Sequence, residues 1–274
     1  MKKRNFLLSI ALSAAAFSSF AQSAAPLKVG IFPGAMSNVM EITAQEARKQ
    51  GLDVKLVEFS DWVAPNAAVD SGELDANVFQ HQAFLDQAVK QRGFKLKSVD
   101  LGVLTTIGLF SKKVASLQDI KPGQTLAIFG DASNQARSLK FLEQLGLVKL
   151  RPGLGESASL DDVISNPKKL KFIEVEGPQL VRSFEDVDLA IQSSNMLSTS
   201  GRDDIVKTAL AWTKGDDLYY AARFVTHEKN VNDPRVKKLV KVFHESPAVR
   251  QAIHTAFKGN SNFYSLPWLK GKVQ

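Results

Sequence analysis

The sequence predicts an α/β protein with mainly parallel sheets flanked by helices. Three observations carry this. Strand-like and helix-like patterns alternate from Leu27 nearly to the end of the 274-residue chain, which is the signature of β-α-β units. Several strands are dense apolar runs rather than alternating ones, as expected when both faces of a parallel sheet are covered. No repeat, low-complexity tract or long Pro/Gly/Ser linker interrupts the alternation, so any two lobes must be joined by ordered crossing segments. The stretches near 104–112 and 200–216 are the candidates.

The elements follow in order. LKVGIF (27–32) is a buried strand, broken by Pro33 and Gly34. Residues 36–50 are helical: Val39, Met40, Thr43, Ala44 and Ala47 share a face, and Gly51 stops the helix. DVKLVEF (53–59) is a second strand, and Pro65 opens a short helix over 65–71. LDANVFQ (74–80) is a third strand, followed by a helix over 82–92 that ends at Gly93. LKSVDLGVLTTIGLFS (96–111) reads as one long β-prone stretch. TLAIFG (125–130) begins a second set. The helix over 133–145 carries Ala136, Leu139, Leu142 and Leu145 on one face and stops at Gly146. LKFIEV (170–175) and VDLAIQS (187–193) are strands, with helical turns near 159–165 and 178–184. DLYYAARFVT (217–226) is the last clear strand. Helices over 234–244 and 247–257 close the chain, the second opening with Ser246-Pro247, a cap followed by Pro at the first helical position.

The first residues, MKKRNFLLSIALSAAAFSSFAQS, read as an export signal. Lys2, Lys3 and Arg4 are its basic start, 6–16 an apolar run too short to span a bilayer, and Ser19-Phe20-Ala21 a small-x-small cleavage site. Removing those three cations leaves a formal charge of +4 from the full-length +7. No run of five or six like charges and no basic stripe interleaved with aromatics occurs, so nucleic acid is not an expected partner. There is no cysteine, which excludes disulfides, thiolate nucleophiles and Cys-bound zinc. It also excludes lipid attachment at an N-terminal cysteine. The expectation is a soluble, periplasmic protein, cleaved near Ala21 and not membrane-anchored.

Catalytic and metal signatures are sparse. None of the HExxH, GxSxG, SxxK or P-loop spacings is present. Of the four histidines, His227, His244 and His254 lie among charged neighbours and read as surface. GLGES (153–157) has neither a preceding apolar strand nor the lysine of a phosphate loop. No metal or cofactor is expected. Two stretches stand out instead. DANVFQHQAFLDQ (75–87) is a strand running into a helix, and its junction carries Phe79, His81 and Phe84 where turn residues are usual. FGDASNQARSL (129–139) is a strand, a turn and a helix that Asp131 or Ser133 can cap. Arg137 sits one turn into that helix, where a guanidinium beside helix amides suits a carboxylate. An ion pair on the surface is an equally open reading of Arg137 from the local sequence.

Several stretches together resemble the NlpA/MetQ family of substrate-binding proteins of methionine ABC importers. They are LKVGIFPG, EFSDWVAPNAAVDSGELDANVFQHQAFLDQ, IGLFSKKVASLQDI, DASNQARSLKFLEQLGLVKL, ISNPKKLKFIEVEGPQLVRSFEDVDLAI and VTHEKNVNDPRVKKLV. The FQHQxxLD and SNxxRxL motifs are the specific ones, and the resemblance covers nearly the whole chain after the signal. It implies a two-lobed periplasmic-binding-protein fold of type II with a ligand cleft between lobes. Residues 22–108 and 210–274 would form one lobe and 109–209 the other, after a signal over 1–21. It implies that Trp62, Phe79, His81 and Phe84 wrap a thioether tail, that Asn134 and Arg137 hold the head group with Arg137 on the carboxylate, and that the partners are an inner-membrane permease and its ATPase.

The sequence departs from the family in two places. Ser193 stands where the family has an asparagine that helps hold the amino-acid head group. Ala221, in Tyr219-Tyr220-Ala221, stands where a second amide would accept from the ligand ammonium. An unpaired buried ammonium is costly. Either Ser194, Asn195 or Tyr220 substitutes, or the ligand lacks the usual α-amino group. The expected ligand set is therefore Trp62, Phe79, His81, Phe84, Asn134, Arg137, Ser193 and Tyr220, for methionine or a related amino acid or carboxylate. The alternatives are a periplasmic enzyme on the same fold with His81 as general base, or a binder of an organic anion that is not an amino acid.

Overall fold

Two sheets, each fed by its own β-α-β unit, organise the computed structural model, which describes residues 25–154 and 156–269. The first sheet begins with β1 (Leu27–Ile31), α1 (Ala35–Lys49), β2 (Val54–Glu58), α2 (Ala64–Ser71) and β3 (Ala76–His81), followed by α3 (Gln82–Arg92) and β4 (Leu96–Thr105). The second is built from β5 (Ile107–Phe110), β6 (Thr125–Phe129), α4 (Ala132–Gln144), a small hairpin of β7 (Lys149–Leu150) and β8 (Val163–Ser165), β9 (Lys171–Val175), α5 (Leu180–Ser183), β10 (Leu189–Ser193), α6 (Ser194–Thr199), α7 (Asp203–Val206) and β11 (Ala209–Trp212). The chain then returns to the first sheet through β12 (Ala221–His227), and α8 (Pro234–Glu245), α9 (Pro247–Ala256) and β13 (Tyr264–Ser265) close it.

The spatial orders are β13-β4-β12-β3-β1-β2 and β11-β5-β10-β6-β9. In each sheet a central strand has two parallel neighbours: β1 lies between β2 and β3, and β6 between β9 and β10. The remaining pairings of these two sheets are antiparallel, so both sheets are mixed. The apolar stripe of α1 (Val39, Met40, Thr43, Ala44 and Ala47) is buried as its spacing predicts, in a core shared with β1 and α8. Leu139 and Leu142 of α4 are buried in the core of the second lobe with β6 and β10.

The structure divides the single β-prone run 96–111 at Thr106. There the chain leaves the first sheet for the second, and the backbone exchanges ladder partners for others. Thr106 N–H donates to Phe263 O and Ser194 Oγ, and its hydroxyl donates to Asn262 O at 2.5 Å. The run over 217–226 is shortened as well. Asp217 caps a 3-10 turn over Leu218–Tyr220 by accepting from Tyr219 N–H, and the strand starts only at Ala221.

The topology sets where a site can form. The C-terminal ends of β1, β3, β6 and β10 all point to the space between the lobes, bringing Phe32, His81, Phe129 and Ser193 to its walls. In open α/β sheets the crevice beyond the strand C-termini is where ligands bind. Among the described residues no helix is long and apolar enough to cross a membrane.

Candidate functional site

The strand-to-helix junction after β3 builds one wall. Phe79 and His81 alternate on β3, so they share a face, and Phe84 returns to it from the first turn of α3. His81 also caps that helix: its Nδ1 accepts from Phe84 N–H at 3.1 Å. Beneath the wall a closed set of amides holds the strand end. Asn77 Nδ2 donates to Asn66 Oδ1 at 2.9 Å, and Gln80 Nε2 donates to Asn77 Oδ1 at 3.0 Å. Asn66 Nδ2 returns a bond to Gln80 Oε1 at 2.9 Å. All three are buried, so β3 and α2 cannot slip without orphaning several polar groups.

The opposite wall is the start of α4. Asp131 caps it by accepting from Asn134 N–H at 3.0 Å and also receives both bonds of the Asn134 amide nitrogen. This leaves Asn134 Oδ1 facing His81 Nε2 across the cleft at 3.0 Å. The tautomer follows from these partners. Nδ1 is an acceptor, so the ring proton sits on Nε2 and is donated to Asn134 Oδ1. Burial pushes the His81 pKa down to about 3, with the nearby Arg137 guanidinium also disfavouring a second positive charge and the Asn134 bond acting the other way. His81 is therefore neutral at pH 7, with both nitrogens committed.

Arg137 is 8% exposed and donates from Nη2 to Thr105 O at 2.6 Å. Its guanidinium lies over the Tyr220 ring, 4.6 Å from the centroid. No carboxylate among the described residues forms an ion pair with it. Burial lowers its pKa to about 10, against the favourable fields of Tyr220 and Asp217, so it remains a cation at pH 7.

Seven of the eight predicted residues meet around one cavity of about 90 Å³: Trp62, Phe79, His81, Phe84, Asn134, Arg137 and Ser193. Tyr220 does not line it. It packs behind, at ring-centroid distance 5.3 Å from His81, and borders a neighbouring cavity of about 420 Å³ on the far side of Arg137. Trp62 crosses from the first lobe to the second: it meets Phe32 and Phe84 edge to face and stacks on Phe129 at 6.5 Å and 28°. Phe129 and Met196, which also border the cavity, were not singled out by sequence reasoning. Phe129 could have been, as the last residue of a strand entering the cleft. Asn195, considered only as a substitute, also lines the cavity, and its Oδ1 is buried without a hydrogen-bond partner among the described residues. Ala221 is fully buried in an apolar cluster with Ala83, Leu104 and Tyr220. A second, larger cavity of about 530 Å³ continues past Trp62, Phe79 and Met196 between the lobes. No cluster of three or more metal-ligating side chains occurs among the described residues.

The profile of the NlpA lipoprotein family matches residues 27–262. This chain belongs to that family. Its relatives include the D-methionine-binding lipoprotein MetQ of Salmonella typhimurium, 38% identical over 242 residues, which cover 86% of this chain and 87% of the relative. Outer membrane lipoprotein 3 of Mannheimia haemolytica is 36% identical over 262 residues, covering 92% and 97%. Among solved structures, a nutrient binding protein from Burkholderia cenocepacia bound to methionine is 42% identical, with a TM-score of 0.80 over 85% of this chain and 97% of that one. The α/β fold expected from the resemblance is shared with this solved structure.

The family corrects one expectation. Placement as a free periplasmic protein with no membrane anchor, read from the leader and the missing cysteine, is overturned: the family and both curated relatives are lipoproteins by name. A lipid holds a protein at a membrane through buried acyl methylenes, without any membrane-spanning segment. The leader itself, with the cleavage site near Ala21, falls in residues 1–24, outside the described residues.

Proposed function

We propose that this NlpA-family chain is the solute-binding component of an ABC importer, taking methionine or a close amino-acid relative into the cleft and passing it to a membrane permease and its ATPase. The observation that carries this reading is a buried guanidinium without an anionic partner, Arg137, facing an aromatic-walled cavity. A buried cation is stable only when paired or well hydrogen-bonded, and the planar fork suits a ligand carboxylate. Trp62, Phe79 and Phe84 supply an apolar, polarisable wall suited to a thioether, since sulfur packs favourably against aromatic rings. The relative's name, D-methionine-binding, and the neighbour bound to methionine support the same class.

The head-group departures narrow to one substitute. The orphan Asn195 Oδ1 is an acceptor at the cavity, whereas Ala221 is packed in an apolar cluster. Asn195 is proposed to accept from the ligand ammonium, with Ser193 and Asn134 beside it. Tyr220 is proposed to hold Arg137 in place rather than touch the ligand. Binding without chemistry fits His81: a general base needs a free lone pair, and Nδ1 spends its own on the α3 cap.

Mass spectrometry of ligand released from natively purified, denatured protein tests this; a ligand without a carboxylate would overturn it. Calorimetry on Arg137→Ala provides the second check. Removing one partner of a buried charged pair costs about 2–5 kcal/mol, so affinity should fall by at least roughly thirtyfold. Unchanged affinity would remove the carboxylate clamp.

A further inference from the structure

We propose that Gly177 is the seat on which Trp62 docks when the lobes close, and that this pair fixes the fit of the cavity around the ligand tail. A Cβ added at Gly177 would lie 2.0 Å from Trp62 Cη2, 2.4 Å from Cζ3 and 2.8 Å from Cζ2. These are distances that no side chain tolerates without movement of one partner. Glycine is not required there by the backbone, because Gly177 is absent from the positive-φ glycines. Space is the requirement: the indole of one lobe lies directly on the main chain of the other.

Neither partner yields easily. Asp61 Oδ1 accepts from Val63 N–H at 2.8 Å and Ala64 N–H at 2.9 Å, tying the backbone on both sides of Trp62. The indole is enclosed by Phe32, Phe84 and Phe129, so rotating it away breaks three ring contacts. Gly177 is buried and opens a 3-10 turn with Pro178, in which Gln179 N–H donates to Glu176 O at 2.8 Å. Trp62 comes from the first lobe yet packs on the hydrophobic core of the second. Bulk at position 177 therefore acts on both the lobe approach and the cavity that Trp62 lines. A smaller ring at 62 leaves room for a methyl group at 177, which makes the two positions a size-complementary couple and a determinant of specificity.

The effect on affinity rests on the ligand reading above, and the test separates the two. Calorimetry with L-methionine and with D-methionine is run on the parent, Gly177→Ala, Trp62→Phe and the double variant, each checked for a cooperative thermal transition. Gly177→Ala is expected to weaken binding at least roughly tenfold. Adding the same alanine to Trp62→Phe should cost less than about threefold, because contacting residues are non-additive. Equal losses in both backgrounds, or no loss in either, overturn the proposal. So does a double variant that fails to fold. If the parent takes up neither stereoisomer, the ligand reading fails alone. The seat is then decided by a crystal structure of Gly177→Ala without added amino acid. An indole displaced from residue 177, or lobes moved apart, supports it, and an indole in its original place overturns it.

Discussion

His81 joins the two walls of the cavity through one imidazole, accepting from Phe84 N–H at the start of α3 and donating to Asn134 Oδ1. A histidine and two phenylalanines at a strand end are out of place for a turn, and the structure puts all three on one cavity. That its ring is held neutral and bonded to Asn134 depends on residues far apart in sequence, and no local pattern announces it. Its protonation has a measurable consequence. The folded pKa of about 3 lies below the ordinary 6.5, so between those values the unfolded chain binds the extra proton and the folded chain does not. Stability from this group is fully present above pH 6.5 and is lost as pH falls toward 3. The loss is on the order of 1 kcal/mol per pH unit. His81→Asn keeps a capping acceptor without the titration. Urea midpoints at pH 7 and pH 5 should therefore fall further for the parent than for the variant; parallel falls would remove the linkage. Asn195 makes the complementary case. Its orphan carbonyl is visible only once burial is known. Asn195→Ala should weaken methionine by about 1–3 kcal/mol while leaving its des-amino analogue nearly unaffected. Equal losses for the two ligands would show that Asn195 does not accept from the ammonium.

At the scale of elements, periodicity located the regular pieces well and the junctions poorly. The stripe on α1 and the Ser246-Pro247 start of α9 were readable because spacing and capping chemistry are local; Ser246 accepts from Val249 N–H as that pattern requires. The break at Thr106 was not, because β4 and β5 are both β-prone and only the change of sheet distinguishes them. Asp131 illustrates how an element end serves the site. It caps α4, accepts from the Ser133 hydroxyl at 2.8 Å, and holds the Asn134 amide so that its carbonyl faces His81. Asp131→Ala should cost about 1 kcal/mol through the lost cap, a fall in melting temperature of roughly 2–4 °C for a chain of this size. Ligand affinity should fall as well, since Asn134 is freed to turn. Asp131→Asn retains a capping acceptor and should recover most of the melting temperature but less of the affinity. Full recovery of both would mean that the cap alone matters.

The two-lobed plan was readable mainly through the family's motifs, since alternating β and α patterns by themselves fit several α/β architectures. The first sheet gathers β12 and β13 from the far end of the chain, and long-range pairing of that kind leaves no local trace. Movement between the lobes must pass through two crossings, Thr106 and the segment 213–220, which we propose as the hinges. They are bonded where they meet: Thr213 N–H donates to Ile107 O at 2.9 Å, and Ile107 N–H to Thr213 Oγ1 at 3.1 Å. The contacts across the cleft are of mixed kind. They include the His81–Asn134 bond, the Trp62–Phe129 stack, and the ion pair of Lys258 with Asp203. The ion pair is exposed and adds little by itself. A ligand carboxylate on Arg137 and a tail against Trp62 would touch both lobes at once, so binding should favour the closed arrangement by its differential contacts. Because the chain has no cysteine, two can be introduced without background, at the exposed Lys90 of the first lobe and Lys171 of the second. Spin labels there report the distance between lobes. Adding the released ligand should shift the distribution toward the shorter distance. Arg137→Ala should abolish that shift at ligand concentrations that saturate the parent. A distribution that ligand leaves unchanged in the parent would mean that the lobes do not close on it, and delivery by a closed form would then fail as the mechanism.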